Sequence, residues 1–272
     1  MDENVLIIEA GRTEKQYFHD LWRYRELFLF LAWRDILVRY KQTVFGVLWA
    51  VMRPLLTMVV FTVVFSKIAK MPSGGVPYPI LVYVAMLPWQ FFSSAFSEAS
   101  NSLISNVNLL TKVYFPRIIL PTSSVIVALM DFFIAFMVLG ALMIFYRFVP
   151  SWQILTLPVF IMLAFLTAMG AGLFIAALNV EYRDFRIVVP FVVQFGLYLS
   201  PVGFSSNVVP EKWRLLYALN PMVGVIDGFR WAVIGQPLNI ISFLLSLGVS
   251  IGLIIFGFWY FRKTERTFAD VI

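Results

Sequence analysis

The chain has 272 residues, of which 61% are hydrophobic, 17% are aromatic and 13% are charged. A soluble domain usually carries about 25% charged residues, because its water-facing surface needs polar side chains. This composition argues against a water-soluble globule and indicates a chain that lipid surrounds. The sequence has no cysteine and one histidine, which excludes disulfides, a thiol nucleophile and a Cys/His metal cluster. A formal charge of +6 is compatible with nucleic-acid binding, but the basic residues form no dense patch. Their placement along the chain fits membrane topology better.

Residues 1–20 form a polar segment without a usable motif, and residues 21–43 have helical periodicity. One stripe of this helix holds apolar and aromatic side chains, at Trp22, Leu29, Trp33, Ile36 and Tyr40. The neighbouring face holds the basic residues Arg23, Arg34 and Lys41. The pattern predicts an amphipathic helix at the cytoplasmic membrane interface. Such a helix is either a plain membrane-surface anchor or a gate beside a substrate entrance.

Six apolar windows are long enough to cross a bilayer as helices, which takes about 20 residues each. They make up a transmembrane domain over residues 44–263 and lie at about 46–68, 79–99, 118–146, 154–178, 187–205 and 238–261. The segment 206–237 is too short and too polar for another span. We expect it to form two short helices, about 209–218 and 222–234, that break at Asn220-Pro221 and re-enter from the external face. The predicted fold is therefore an all-α integral membrane protein.

Basic residues near the ends of spans usually stay on the cytoplasmic side. In the six-span topology, most of the 21 Lys and Arg residues lie on the same side as the N terminus. We therefore expect both termini to be cytoplasmic, including the tail at residues 264–272.

Charged residues inside apolar segments are costly and often functional. Arg53 precedes Pro54 in the first span and either snorkels to the interface or contacts a phosphate near the inner leaflet. Asp131 lies near the middle of the third span, where it is either protonated or paired with an arginine, or lies on a transport path. Asp227 and Arg230 are three residues apart on one helical face and can pair.

Two loops on the cytoplasmic side, residues 101–117 and 179–186, combine charges with aromatic residues. This mixture is more typical of protein interfaces than of solvated linkers, although charges that merely flank spans give the same pattern. Many other aromatic residues lie near span ends. They form an interfacial belt, and a subset of them alternatively lines a path for sugars.

No GxxxxGK[ST] phosphate loop occurs, so any ATP that drives this protein would be bound by another polypeptide. The sequence also has no GxSxG or HExxH motif. We predict no catalytic residues and no metal site in this chain.

Five stretches together resemble the membrane subunits of ABC transporters that export polysaccharides such as O-antigen, capsule and teichoic acid. The resemblance covers about residues 21–263, and its stretches are residues 34–49, 87–92, 112–117, 179–185 and 219–221. It implies a homodimer of six-span subunits in the bacterial inner membrane, bound to two copies of a separate ATPase that holds ATP and Mg. The expected cargo is a lipid-linked glycan, carried on a polyprenyl pyrophosphate.

The resemblance also implies roles for particular positions. Residues 21–43 would be a cytoplasmic gate helix. Contacts with the ATPase would come from Lys112, Tyr114, Phe115, Arg117, Glu181, Arg183, Asp184 and Arg186. The external gate would include Asn220, Pro221, Asp227 and Arg230.

Arginine forks and lysine charges suit phosphate oxygens. Arg39, Lys41 and Arg53 are therefore candidates for holding the lipid pyrophosphate, and Trp49, Trp89, Phe91 and Tyr198 are candidates for lining the substrate path. A competing hypothesis is a membrane-embedded glycosyl- or acyltransferase of envelope biogenesis. Its catalytic acids would have to be sparse external residues such as Glu211 and Asp227. A secondary transporter would usually show repeated halves, and no internal repeat is visible.

Overall fold

The computed structural model describes residues 14–41, 46–182, 184–265 and 268. Within these ranges the chain forms helices and no strand, which confirms the predicted all-α fold. Most of the polar segment 1–20 lies outside the described residues, as do Arg183 and much of the tail 264–272.

Two helices precede the first span, α1 (Glu14–Arg23) and α2 (Arg25–Lys41). They are almost continuous, because the backbone N–H of Tyr24 bonds the carbonyl of Asp20 at 2.9 Å. The helical segment therefore begins at Glu14 rather than near residue 21. Trp22 and Trp33 of the predicted aromatic stripe are exposed, as expected for a surface that lipid covers.

In the described part of the chain, five helical segments are long and apolar enough to cross a membrane. The first combines α3 (Gly46–Phe61) with a π-helix at Thr62–Ile68. The next two are α4 (Tyr78–Ser105) and α6 (Ile119–Phe145), joined through the short α5 (Val107–Lys112). The last two are α7 (Leu157–Glu181), preceded by a 3₁₀ turn at Trp152–Thr156, and α11 (Ile240–Thr264).

The fifth predicted span, 187–205, corresponds to the shorter apolar helix α8 (Phe185–Leu199). Its 15 residues rise about 22 Å, less than the ~30 Å of a bilayer core, so the count of six spans stays a prediction. The chain turns after Leu199, and the Arg230 guanidinium donates to the carbonyls of Val202 (3.2 Å) and Phe204 (2.8 Å). The two bonds give the Val202 and Phe204 carbonyls, which lie beyond the end of the helix, a hydrogen-bond donor.

Two short helices follow, α9 (Glu211–Tyr217) and α10 (Pro221–Ile234), where the sequence predicted a helix pair; its re-entry from the external face stays a prediction. The predicted break at Asn220-Pro221 has a local cause. The Asn220 side chain accepts a hydrogen bond from the Met222 N–H at 3.0 Å, and Pro221 occupies the first turn of α10, where a missing N–H costs nothing. Most of α10 is buried, against α4, α7 and α11.

The core centres on α4 and α7, with α6, α10 and α11 around them. Helices α7 and α11 approach closely at Gly170 and Gly257, where a Cβ on Gly257 would lie 2.1 Å from the Gly170 carbonyl oxygen. Small residues allow such close approach between membrane helices. The hydroxyl of Thr167 also bonds that of Ser250 across this interface, at 2.9 Å.

We predict that Gly257→Ala lowers the melting temperature of the protein in detergent, because the methyl group would collide with the backbone of α7. Overpacking of this kind typically costs about 1–3 kcal/mol. Gly252→Ala is the matched control, since it lies on the same helix and nothing is within 4 Å of its added Cβ. Equal melting temperatures for the two variants would contradict this account of the α7–α11 contact.

Candidate functional site

A cavity of about 730 Å³ opens between five helices: α2, α3, α4, α6 and α8. Its wall combines aromatic rings with amides and hydroxyls, an unusual mixture inside apolar spans. The aromatic members include Trp49, Trp89, Phe91 and Phe132, and the polar uncharged members include Thr57, Gln90, Ser93, Ser94, Ser97 and Gln194. The site therefore offers both apolar faces and hydrogen-bonding groups to a ligand.

Packing between helices fixes the aromatic part of the wall. Phe91 meets Phe132 of α6 edge-on with ring centroids 5.6 Å apart, and it is almost fully buried. Trp89 packs against α8, since a Cβ on Gly196 would lie 2.6 Å from its ring. Trp49 is largely exposed on α3. Phe91 and Trp89 are thus held in place, whereas Trp49 is free to follow a ligand.

An ionic cluster closes the α2 side of the cavity. The Arg39 guanidinium contacts Asp131 on α6 at 2.7 Å and Glu98 on α4 at 3.1 Å. The Tyr40 hydroxyl donates to the other oxygen of Asp131. Burial, together with this hydrogen bond, raises the pKa of Tyr40 above its ordinary value, so the phenol keeps its proton. Asp131 is therefore paired with an arginine, which was one of the two alternatives that its position left open.

The cluster determines how α2 lies against the spans. Asp131 is about 18 Å along α6 from Ile119, so the C-terminal end of α2 reaches well into the bundle. Leu31 and Ala32 on α2 are buried, and the Arg34 guanidinium bonds the Asn106 side chain at 3.0 Å. The amphipathic helix thus has one face in the bundle and one face outside it.

Arg53 is the second cation of the cavity, one turn before Thr57 on α3. Its side chain is exposed, and no described residue gives its guanidinium an ion pair or a hydrogen bond. Arg39 has its charge neutralised by two carboxylates, whereas Arg53 retains an unbalanced positive charge. Among the described lining residues, Arg53 is therefore the cation available to an anion.

The other predicted path residues lie elsewhere. Lys41 and Tyr198 are exposed and do not line the cavity. Sequence reasoning missed Glu98 and the polar face of α4. The signal was present, because Gln90, Ser94 and Glu98 are four residues apart and so share one face of a helix that is otherwise apolar.

The predicted ATPase-contacting residues fall into two groups. Lys112, Tyr114, Glu181, Asp184 and Arg186 are exposed. Phe115 is buried, contrary to the expected exposure of loop aromatics, and Arg117 is bound within the chain through Glu265. Arg183 lies outside the described residues.

The four predicted external-gate residues lie together in the α9–α10 pair. Asn220 and Pro221 form the break, and Asp227 lies 3.9 Å from the fully buried Arg230, which confirms their pairing. Burial raises the pKa of Asp227, while the Arg230 charge opposes that rise. The pair holds the loop after α8 through the two Arg230 bonds to backbone carbonyls.

These features define a multi-pass helical membrane protein with a polar, aromatic-lined cavity between its helices and charged loops at one end. The chain belongs to the ABC-2 type transporter family, whose model matches residues 26–234. Its relatives include the O-antigen export system permease protein RfbA of Myxococcus xanthus, 28% identical over 93% of this chain and 98% of the relative. RfbA of Klebsiella pneumoniae is also 28% identical, over 91% and 95%. The polysialic acid transport protein KpsM of Escherichia coli is 22% identical, over 82% and 89%.

We predict that Asp131→Asn loosens α2 from the bundle, because the variant keeps the side-chain shape and removes the charge that holds Arg39. The chain has no cysteine, so a single Ala32→Cys provides a clean reporter of access beneath α2. Maleimide labelling at this position should accelerate up to roughly tenfold in Asp131→Asn, the factor that corresponds to about 1.4 kcal/mol.

Glu98→Gln is the matched control, since its side chain is more exposed than that of Asp131 and its pairing is more screened by water. It should accelerate labelling less. An unchanged rate in Asp131→Asn would show that the ion pair does not hold α2.

Proposed function

We propose that this chain is the permease subunit of an ABC exporter that moves a lipid-linked polysaccharide across the bacterial inner membrane. The observation that carries the proposal is the amide- and aromatic-lined cavity with Arg53 at its wall, in a chain of the ABC-2 type transporter family. Three relatives with names that specify O-antigen export or polysialic acid transport support the choice of a polysaccharide.

The cavity wall suits a glycan chemically. Amides such as Gln90 and Gln194 both donate and accept hydrogen bonds, as sugar hydroxyls require. The exposed ring of Trp49 offers a flat apolar face to the C–H faces of pyranose rings, and the buried rings of Trp89 and Phe91 support the wall behind it. A passage built from both groups holds a sugar chain by many weak contacts, so the chain remains free to move.

Arg53 is the proposed contact for the pyrophosphate that joins the glycan to its lipid. An anion gains from a guanidinium that is not already neutralised, and two N–H groups of arginine match two phosphate oxygens. Arg39 also lines the cavity, but its guanidinium is already paired with Asp131 and Glu98, so its proposed role is to hold α2 against the spans. The acids that a transferase would need are also paired, since Glu211 lies 3.7 Å from Arg214 and Asp227 lies 3.9 Å from Arg230, which speaks against that alternative.

A second copy of the chain would close the cavity. Helices α3 and α8 border it and also carry exposed apolar side chains, including Leu56, Val60, Phe191 and Phe195. We infer a homodimer in which these helices face the partner and enclose a shared path. Lipid would cover the remaining apolar surface, such as that of α11.

Energy would come from two copies of a separate ATPase that binds ATP and Mg. We place the cytoplasmic side, with both termini, at the ends of the helices that meet the loops of residues 101–117 and 179–186. The exposed Lys112, Tyr114, Glu181 and Asp184 are the proposed contacts. Closure of the ATPase pair would push these loops and rock the helical bodies, which changes the width of the path.

We predict that Arg53→Gln weakens export while complex assembly stays intact, because the variant removes the charge that the pyrophosphate needs. A charge-assisted hydrogen bond contributes about 1.5–3 kcal/mol, so apparent affinity should fall roughly 10- to 100-fold. The measurement is stimulation of ATP hydrolysis by a polyprenyl-pyrophosphate-linked glycan, with the complex in lipid discs. Arg53→Lys should retain part of the response.

Arg23→Gln is the matched control for that experiment. Arg23 is an exposed arginine of α1 that does not line the cavity. Normal stimulation in Arg53→Gln, or equal losses in the two glutamine variants, would refute the assignment of Arg53.

We also predict that Asp184→Lys uncouples ATP hydrolysis from export, since it reverses an exposed charge at the proposed ATPase contact. Export per ATP hydrolysed should fall in vesicles, while the folded permease remains stable. Glu211→Lys reverses an exposed carboxylate of the external pair and controls for charge alone. Unchanged coupling in Asp184→Lys would contradict the interface.

A further inference from the structure

The segment around α5 is held at both ends by the N-terminal helices. At its start, the Arg34 guanidinium of α2 bonds the side-chain oxygen of Asn106 at 3.0 Å. Asn106 directly precedes α5, and its amide also bonds the Ser102 carbonyl at 2.9 Å. The beginning of α5 is therefore linked to the middle of α2.

At the other end, Glu265 fastens the loop between α5 and α6. The Glu265 carboxylate accepts the backbone N–H of Arg117 at 2.8 Å, and the Arg117 guanidinium donates to the Glu265 carbonyl. Because Arg117 lies just before α6, this carboxylate is placed at a helix N-terminus, where a negative charge is favourable. Both bonds join the loop to the C-terminal end of α11.

A third contact carries this link on to α1. Arg262 binds Glu265 at 3.1 Å, and its guanidinium carbon lies 3.5 Å from the ring centroid of Tyr17. Tyr17 is buried, as is Phe268, whose ring lies 5.7 Å from the Arg117 guanidinium. Cation–π contacts of this kind are stronger where water is excluded.

We propose that these contacts make α1, α2 and the α5 segment one mechanical unit, with Tyr17 and Arg34 as positioning residues that transmit the push on α5 to α2. The proposal rests on the proposed function, since a separate ATPase must supply the push. Arg117 then acts inside the chain, as part of the transmission, rather than as a contact for the ATPase. The C-terminal end of α11 completes the unit, because Glu265 and Arg262 join the α5–α6 loop to Tyr17 of α1.

The unit also explains how a push at one end of the bundle reaches the cavity. Helix α2 carries Arg39 and Tyr40, which form the α2 side of the cavity wall through Asp131. A displacement of α5 shared by α2 would therefore act on that wall directly. If the links were absent, α2 would follow α4 and α6, which hold Arg39 through Glu98 and Asp131.

The test compares movement at two places on the same complex. Val38 of α2 and Asn108 of α5 are exposed, and the absence of native cysteine lets each be replaced by a spin-labelled cysteine. In the full complex with its ATPase, the distance between the labels of the two copies is measured by pulsed EPR without nucleotide and with ATP plus vanadate. In the wild-type background, the distances at both positions should change.

The decisive variant is Tyr17→Leu combined with Arg34→Leu, which removes both links. The matched control is Tyr17→Phe combined with Arg23→Leu, which keeps the ring and Arg34 while removing an arginine from the same helices. The proposal predicts that the decisive variant loses the nucleotide-driven change at residue 38 and keeps it at residue 108. The control should keep both changes.

An unaltered change at residue 38 in the decisive variant would overturn the proposal, as would an equal loss in the control. A wild-type complex that shows no nucleotide-driven change at either label would instead refute the ATP-driven function on which the proposal rests. Loss of the distance change at both labels in the decisive variant, but not in the control, would also overturn the proposal. In that case the movement of α5 itself would depend on Tyr17 and Arg34, which are proposed only to pass the movement on to α2.

Discussion

The ion pair between Arg39 and Asp131 is the interaction on which the rest of the site depends. A carboxylate in the middle of an apolar helix is tolerated only with a partner, and here the partner comes from a helix outside the predicted spans. The need to neutralise Asp131 therefore draws the C-terminal end of α2 into the bundle. That placement adds α2 to the four other helices around the cavity and engages Glu98 as well. Among the described lining residues, Arg53 is then the cation without a carboxylate partner.

At each end of the molecule, charged side chains give hydrogen-bond partners to backbone groups that lie outside the helices, but the side chains differ. In the α9–α10 pair, Arg230 is buried with Asp227 and bonds the Val202 and Phe204 carbonyls of the turn that follows α8. At the opposite end, Glu265 and Arg262 close a cluster of rings and charges around the loop after α5. Both devices use an arginine or a carboxylate to satisfy backbone groups away from regular helix, as an apolar environment requires. The cavity lies between them.

Apolar runs determined where the long helices lie, so α6 and α11 could be predicted within three residues at each end, and Asn220-Pro221 marked the break before α10. Helix α4 begins within one residue of the prediction but continues to Ser105, six residues past the predicted end. The end of α8 at Leu199 was missed although the sequence signals it, since Ser200 precedes Pro201 and the residue before a proline is biased away from helix. Only the fold shows that Arg230, 28 residues beyond Val202, binds the Val202 carbonyl in the turn that follows. For the site, five of the seven predicted path residues line one cavity, namely Arg39, Arg53, Trp49, Trp89 and Phe91, whereas Lys41 and Tyr198 do not. Their role in a substrate path stays a prediction. The choice between them was not predictable, since only the fold shows that two carboxylates already neutralise Arg39.

The most direct test of the central claim is to find where a substrate lies in the complex. A polyprenyl-pyrophosphate-linked glycan with a photoreactive diazirine on its first sugar would be cross-linked in lipid discs, and the labelled peptides would be identified by mass spectrometry. The account predicts adducts on residues that line the cavity, such as Trp49, Gln90 and Gln194, and their loss in Arg53→Gln. Adducts confined to the outer surface of α11, around Phe256 and Trp259, would contradict it.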